Sequence, residues 1–171
     1  YQTWALEARK SRVEQNGKDD PVSRCLPGGI VKLHTTPQLR KFIQIPGVIV
    51  TLNEMDATYR QIFTDGRPLP PIGTPAFKGY SVGKWDGDTF VVDTIGINEK
   101  TWMDNAGRPH TDALHTTERY RRTSVGTMDV TLTIDDSKAY TRPWTVSASP
   151  SRLIVGQDLL EGSRLAGDKR L

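Results

Sequence analysis

Between Gly79 and Ile97 the chain reads GYSVGKWDGDTFVVDTIGI. Two runs rich in β-branched and aromatic residues, Gly79–Trp85 and Thr89–Ile97, flank Asp86-Gly87-Asp88. Asp-Gly supplies the positive-φ positions that a tight turn between twisted strands requires, so this stretch predicts a β-hairpin. The same grammar extends outward. Upstream, Ile30–His34, Lys41–Ile45, Val48–Glu54 and Thr58–Thr64 read as short strands, with Pro46-Gly47 and Asp65-Gly66 as turns. Pro68, Pro70, Pro71 and Pro75 make the following segment a loop, because proline breaks helices and sheet ladders alike. Downstream, His115–Arg122 and Met128–Asp135 flank Thr123–Thr127. Met128, Val130, Leu132 and Ile134 alternate there with Asp129, Thr131, Thr133 and Asp135, the period of a strand with one dry face. Ala139–Ala148 and Leu153–Leu160 complete the series, with Pro143 pointing to an edge, bulge or corner. A tail from Glu161 is expected to fray.

Only the opening differs. Residues 3–15, TWALEARKSRVEQ, predict a helix, capped by Thr3 and stopped at Asn16-Gly17. The expected fold is therefore mainly β: an antiparallel barrel of about eight or nine strands behind an N-terminal helix. A β-sandwich is the competing arrangement. Closure favours the barrel because it hides every sheet edge, and the connections look sequential apart from the loops 65–78 and 98–113.

The chain has 171 residues, 23 Lys+Arg against 20 Asp+Glu, and one Cys. This length suits one domain with a real core, here residues 1–171, including the helical segment 1–17 and the tail 161–171. A net charge of +3 does not by itself imply nucleic acid or a membrane surface. No apolar run approaches the ~18 residues of a membrane-spanning helix. Starting at Tyr1 rather than Met, the chain is expected to be a processed or trimmed product. Tyr1 to Val13 lacks the apolar core of a signal peptide. Cys25 cannot form an internal disulfide, and it reads as a structural thiol rather than a nucleophile, since no activating base lies near it in sequence.

Together with GYSVGKWDGDTFVVDTIGINEKTWMDNAGRPHTDALHTTERYRR (79–122), the stretches TIDDSKAYTRPW (133–144), DDPVSRCLPGG (19–29) and YRQIFTDGRPLP (59–70) carry a likeness. The chain resembles a widespread family of uncharacterised, usually secreted bacterial proteins. The resemblance implies a lipocalin-like, calycin-type β-barrel, and export to the periplasm or beyond. It also implies a cysteine near the C-terminal strand able to pair with Cys25. This chain instead carries Gln157-Asp158-Leu159-Leu160 there. It implies no activity.

The densest polar constellation is residues 101–115, which hold Trp102, Asp104, His110 and His115, with Glu118 just beyond. A His–carboxylate pair can move a proton near neutrality, so His110, His115, Asp104 and Glu118 are the catalytic candidates. The bland alternative is a loop-capping His110 and a backbone-bonded His115. His34, His110 and His115 together would suit zinc or copper, but a spacing of five residues opposes the last two on a regular strand. Trp102, Tyr120 and Trp144 offer area and a polar handle for an aromatic or sugar-like ligand, unless they are simply core. An inward Glu54 would need an arginine, so Glu54, Tyr59 and Arg60 form a second ligand-binding set; an outer-face charge ladder is the rival. Arg119, Arg121 and Arg122 alternate faces, which argues against nucleic acid, and phosphate-loop and nucleophile-elbow signatures are absent.

These readings lead to a secreted barrel that binds a small organic molecule in its interior, with loop 98–115 gating the mouth and no cofactor. The partners expected are that ligand and, at most, further copies in a homo-oligomer. The alternatives are a cofactor-free lyase, isomerase or hydrolase using the His–carboxylate pair, a His-ligated metal enzyme, and a solidly packed interaction protein.

Overall fold

A computed structural model of the chain describes residues 1–71, 75–148 and 150–160. Helix α1 (Thr3–Glu14) precedes α2 (Ile30–Thr35) and the strands β1 (Arg40–Ile45), β2 (Val48–Asn53), β3 (Thr58–Phe63), β4 (Tyr80–Asp86), β5 (Thr89–Ile95), β6 (His115–Ser124), β7 (Thr127–Asp135), β8 (Trp144–Ser147) and β9 (Ser151–Arg152). One sheet holds them in sequence order from β1 to β8, with β9 also on β7. Among the described residues no helix is long and apolar enough to cross a membrane.

The 79–97 hairpin forms as its sequence predicts. Asp86 pairs with Thr89 across Gly87-Asp88, and Gly87 takes φ 61°. Gly83 answers a different need. A Cβ there would lie 2.4 Å from Cζ of Phe90, whose ring stands tilted against Trp85 with centroids 5.1 Å apart.

The sheet is a mixed, curled half-barrel rather than a closed antiparallel barrel. Among the described residues β1 pairs only with β2, and β8 only with β7. Its curl is proved by contacts that skip strands: Phe42 on β1 meets Tyr120 on β6 edge to face, with ring centroids 5.7 Å apart. The antiparallel expectation fails at one joint. β3 and β4 run parallel, through Ile62↔Ser81 and Phe63↔Val82 alone. Parallel neighbours need a crossover of about a dozen or more residues, and the proline-rich segment after β3 is long enough to carry the chain back.

Ile30–His34, expected as a strand, is helical. A short apolar run has no periodicity that separates a strand from a buried helix turn. Here Ile30, Val31 and Leu33 plug the concave side of the sheet, packing with Ile97, Met103, Leu114, Leu132 and Ile134. A second apolar cluster holds Ile49, Ile62, Phe90, Val92, Tyr120 and Val130. Strand β8 is shorter than Ala139–Ala148. The turn from Asp136 uses Ala139 and Tyr140, both bonded back to the Asp136 carbonyl, and Pro143 has no N–H to offer a ladder. The last expected strand, Leu153–Leu160, does not form: the chain pairs with β7 just before it, at Ser151–Arg152, and Leu153, Ile154 and Val155 are exposed. The tail 161–171 lies outside the described residues.

Helix α1 matches its expected span, but Thr3 is its first helical residue rather than its cap. The helix lies across the turn after β7. Gln2 N–H donates to the Ala139 carbonyl at 2.8 Å, and Trp4 Nε1 to that of Lys138 at 2.8 Å.

Candidate functional site

Strand alternation on β6 turns Thr116, Glu118 and Tyr120 toward the concave side, where all three are buried. Glu118 stands in register between Val92 and Leu132, at the junction of the two apolar clusters. A buried carboxylate needs a partner, and three elements supply one. From β3, Arg60 grips both oxygens: Nη1 to Oε1 at 3.0 Å and Nη2 to Oε2 at 2.5 Å. From α2, His34 Nε2 lies 2.6 Å from Oε1. From β6 itself, the Tyr120 hydroxyl donates to Oε1 at 2.5 Å. Arg60 also donates from Nε to Ser81 Oγ at 2.9 Å and from Nη2 to Thr94 Oγ1 at 2.6 Å.

The protonation states follow. Burial opposes ionisation of Glu118, but the Arg60 charge and the bonds from His34 and Arg60 outweigh it, holding the carboxyl well below the usual range. Burial likewise works against the Arg60 cation, and Glu118 overcomes it. For His34 burial wins over the pull of Glu118, so its imidazole titrates below the ordinary value and is neutral near pH 7. A carboxylate only accepts, so the neutral ring carries its proton on Nε2. Burial first and Glu118 second push the Tyr120 phenol up. Four donors hold Glu118, three on Oε1 and one on Oε2, and the side chain is fully buried. The cluster is a clamp between α2, β3 and β6, not an exposed base.

What the clamp supports lies at the seam. Beyond their two paired positions β3 and β4 diverge, and a cleft of about 440 Å³ opens between them. Its wall is mostly apolar: Tyr59, Phe63, Phe77 and Tyr80 line it with Pro27 and Ala57, while Arg60 and Ser81 form its polar floor. Phe63 and Tyr80 stack at 5.2 Å. Asp56 and Ala57 on the rim hold positive φ, 61° and 44°, unusual for residues with a Cβ. The Asp56 carboxylate is fastened there by the Gly28 N–H, at 2.8 Å. Lys78, 7% exposed, also lines the cleft. Its Nζ donates to the Gly28 carbonyl. Burial pulls its pKa down from 10.5 to about 8, Asp56 opposes this, and Arg40 and Arg60 reinforce it.

The histidines expected to converge do not. His110 is buried, with Nε2 2.7 Å from Thr101 Oγ1 and Nδ1 donating to the Thr111 carbonyl at 3.1 Å; burial lowers its pKa. His115, half-buried, meets Asp93 Oδ1 at 3.1 Å. The imidazole that reaches Glu118 is His34, from 84 residues away. No group of three or more His, Cys, Asp or Glu fit to hold a metal occurs among the described residues. Asp104 closes its own loop, accepting from the N–H groups of Ala106 and Arg108 and from the Arg108 guanidinium. Trp102 is buried under Arg12, whose guanidinium carbon sits 4.7 Å from the ring centroid. Thr101, Met103, Pro109 and Leu114 are buried as well, so 98–115 packs as core rather than standing as a gate.

The second expected set also separates. Arg60 turns to Glu118, Tyr59 is exposed at the cleft, and Glu54 accepts the Leu160 N–H at 3.2 Å. Trp144 packs on Tyr140 edge to face. Cys25 is exposed. Of the expected residues the structure brings together Glu118, Tyr120 and Arg60, with Tyr59 on the adjoining cleft. It adds Ser81, Thr94 and Lys78, and it brings His34, expected only as a metal ligand, to Glu118. Comparison of the chain with protein-family models, curated proteins and solved structures gives no match.

Proposed function

We propose that the protein binds a small organic molecule, aromatic in character, in the cleft between β3 and β4. The observation that carries this reading is the coincidence of an aromatic-walled cleft with the two-position ladder between β3 and β4. Its volume of about 440 Å³ falls within the range of small-molecule sites. The Arg60–Glu118–His34–Tyr120 clamp supports it by fixing the floor, since a site is precise only when its supporting residues are themselves locked. Neither His110 nor His115 lines the cleft, so the expected His–carboxylate pair does not bear on it. Export, and kinship of the half-barrel with closed lipocalin-like barrels, rest on the family resemblance and belong to the same proposal.

A ¹H–¹⁵N correlation spectrum titrated with indole, phenol and glucose tests it. Indole and phenol should shift amides of residues 58–63 and 76–81, and Tyr59→Ala should weaken indole by about fivefold, the scale of one lost aromatic contact. Shifts confined to the groove beside Arg12 and Trp102, or no shifts at all, would refute it.

A further inference from the structure

We propose that Lys78 makes the cleft selective for an organic anion, a carboxylate carried on an aromatic body. This rests on the cleft being the binding site and names the class of ligand it takes.

Lys78 differs from the other buried cations of the fold. Arg60 meets Glu118 at 2.5 Å, and Lys32 meets Asp20 at 2.5 Å. Lys78 is more than nine-tenths buried, yet among the described residues its ammonium has a single hydrogen-bond acceptor, the Gly28 carbonyl. Among the described residues no carboxylate comes within 4.0 Å of it, although ten ion pairs form elsewhere. An ammonium has three N–H donors, so two remain unused beside the cleft.

Its surroundings do not replace the missing counterion. Three charged groups act on it: Asp56 from the turn before β3, Arg40 from β1 and Arg60 from β3. Asp56 is engaged by the Gly28 N–H, and Glu118 is held by Arg60, His34 and Tyr120. Asp56 outweighs either arginine taken singly, yet among the described residues it does not come within ion-pair distance, so the ammonium has no direct counterion. Burying a cation in that condition is costly, and proteins normally pair or hydrate it. An incoming carboxylate would accept from the two unused donors. The stacked Phe63 and Tyr80 rings would take the apolar remainder.

Calorimetric titration at pH 7 with phenylacetate and with phenylacetamide, matched in shape and differing in charge, decides the matter. The wild type should bind the acid at least tenfold more tightly than the amide. Lys78→Met should erase that preference, bringing the affinities for acid and amide together. In the wild type the preference should also fade between pH 7 and 9.5. Equal affinity of acid and amide for the wild type would overturn the anion assignment and leave the binding cleft standing. If neither probe perturbs amides 58–63 and 76–81, the cleft reading itself fails. Competition by inorganic phosphate as strong as by phenylacetate would overturn the organic part of the assignment.

Discussion

Replacing Lys78 by methionine should make the protein more stable, which is unusual for a buried site. The ammonium is exchanged for a thioether of similar length, so packing changes little. The pKa falls from 10.5 to about 8 on folding. At ~1.4 kcal/mol per unit, the folded state is penalised by about 3 kcal/mol for holding the charge. Below pH 8 both folded and unfolded chains carry the proton, and the penalty is complete. Between about 8 and 10.5 only the unfolded chain still binds it, so wild-type stability rises with pH through that window. Against the gain stands the Gly28 carbonyl, which loses its donor at a cost of about 1–3 kcal/mol. The net expectation is a variant more stable by about 1 kcal/mol at pH 7. By pH 10 that advantage should vanish or reverse. Urea unfolding followed by tryptophan fluorescence, run on both proteins at both pH values, cancels the titration of every other group in the double difference. A variant less stable than wild type at pH 7, by an amount that does not change with pH, would show that the ammonium is fully satisfied in the folded state. The case for an anion would then lose its foundation.

The clamp should respond in the opposite sense. Glu118→Gln leaves the Arg60 charge buried without a counterion and should cost about 3–5 kcal/mol in urea unfolding; a loss under about 1 would mean that Arg60 is neutralised by something else. In the wild type, the depressed Glu118 carboxyl stabilises the fold above the ordinary value of 4.5 and loses that contribution progressively as pH falls below it, whereas Glu118→Gln should lack this component. Gly83→Ala should lower stability by about 1–3 kcal/mol through overpacking against Phe90. Phe90→Leu in the same chain should return part of the loss, and strict additivity of the two changes would contradict the assigned clash.

The strands were legible because their signals are local. Period-two alternation in Met128–Asp135 and the Asp-Gly turn need no distant partner to be read. The missed elements are those decided at long range. IVKLHT becomes helix because the concave sheet offers it a complete apolar lining, and nothing within those residues announces that. The parallel joint depends on where a proline-rich crossover delivers β4. The site shows the same division. Parity alone places Glu118 on one face with Thr116 and Tyr120, and a carboxylate on a dry strand face demands an arginine. The rule does not hold at Glu54, where the chain leaves β2; it holds at Glu118, in mid-strand. Its partners Arg60 and His34 lie 58 and 84 residues upstream, and no spacing identifies them.

The joint between β3 and β4 ties these features together. Two paired positions make a weak ladder, yet the strands must stay aligned for the sheet to keep its curl. Arg60 bridges the gap by reaching Ser81 on β4 and Thr94 on β5. A guanidinium in that position must be neutralised from the concave side, and β6 provides the carboxylate at the strand position facing it. Once Glu118 is there, its remaining lone pairs recruit Tyr120 and the end of α2, so the helix is locked to the sheet through the same charge. The result is a stiff floor under an opening that the ladder does not close. Lys78 enters that opening on a segment pinned by Ala76, whose N–H donates to Gly96 and whose carbonyl accepts from Asn98. A rigid floor beside a cation held without a direct counterion is the pair of features on which the anion proposal stands, and the Lys78→Met measurement tests the second of them.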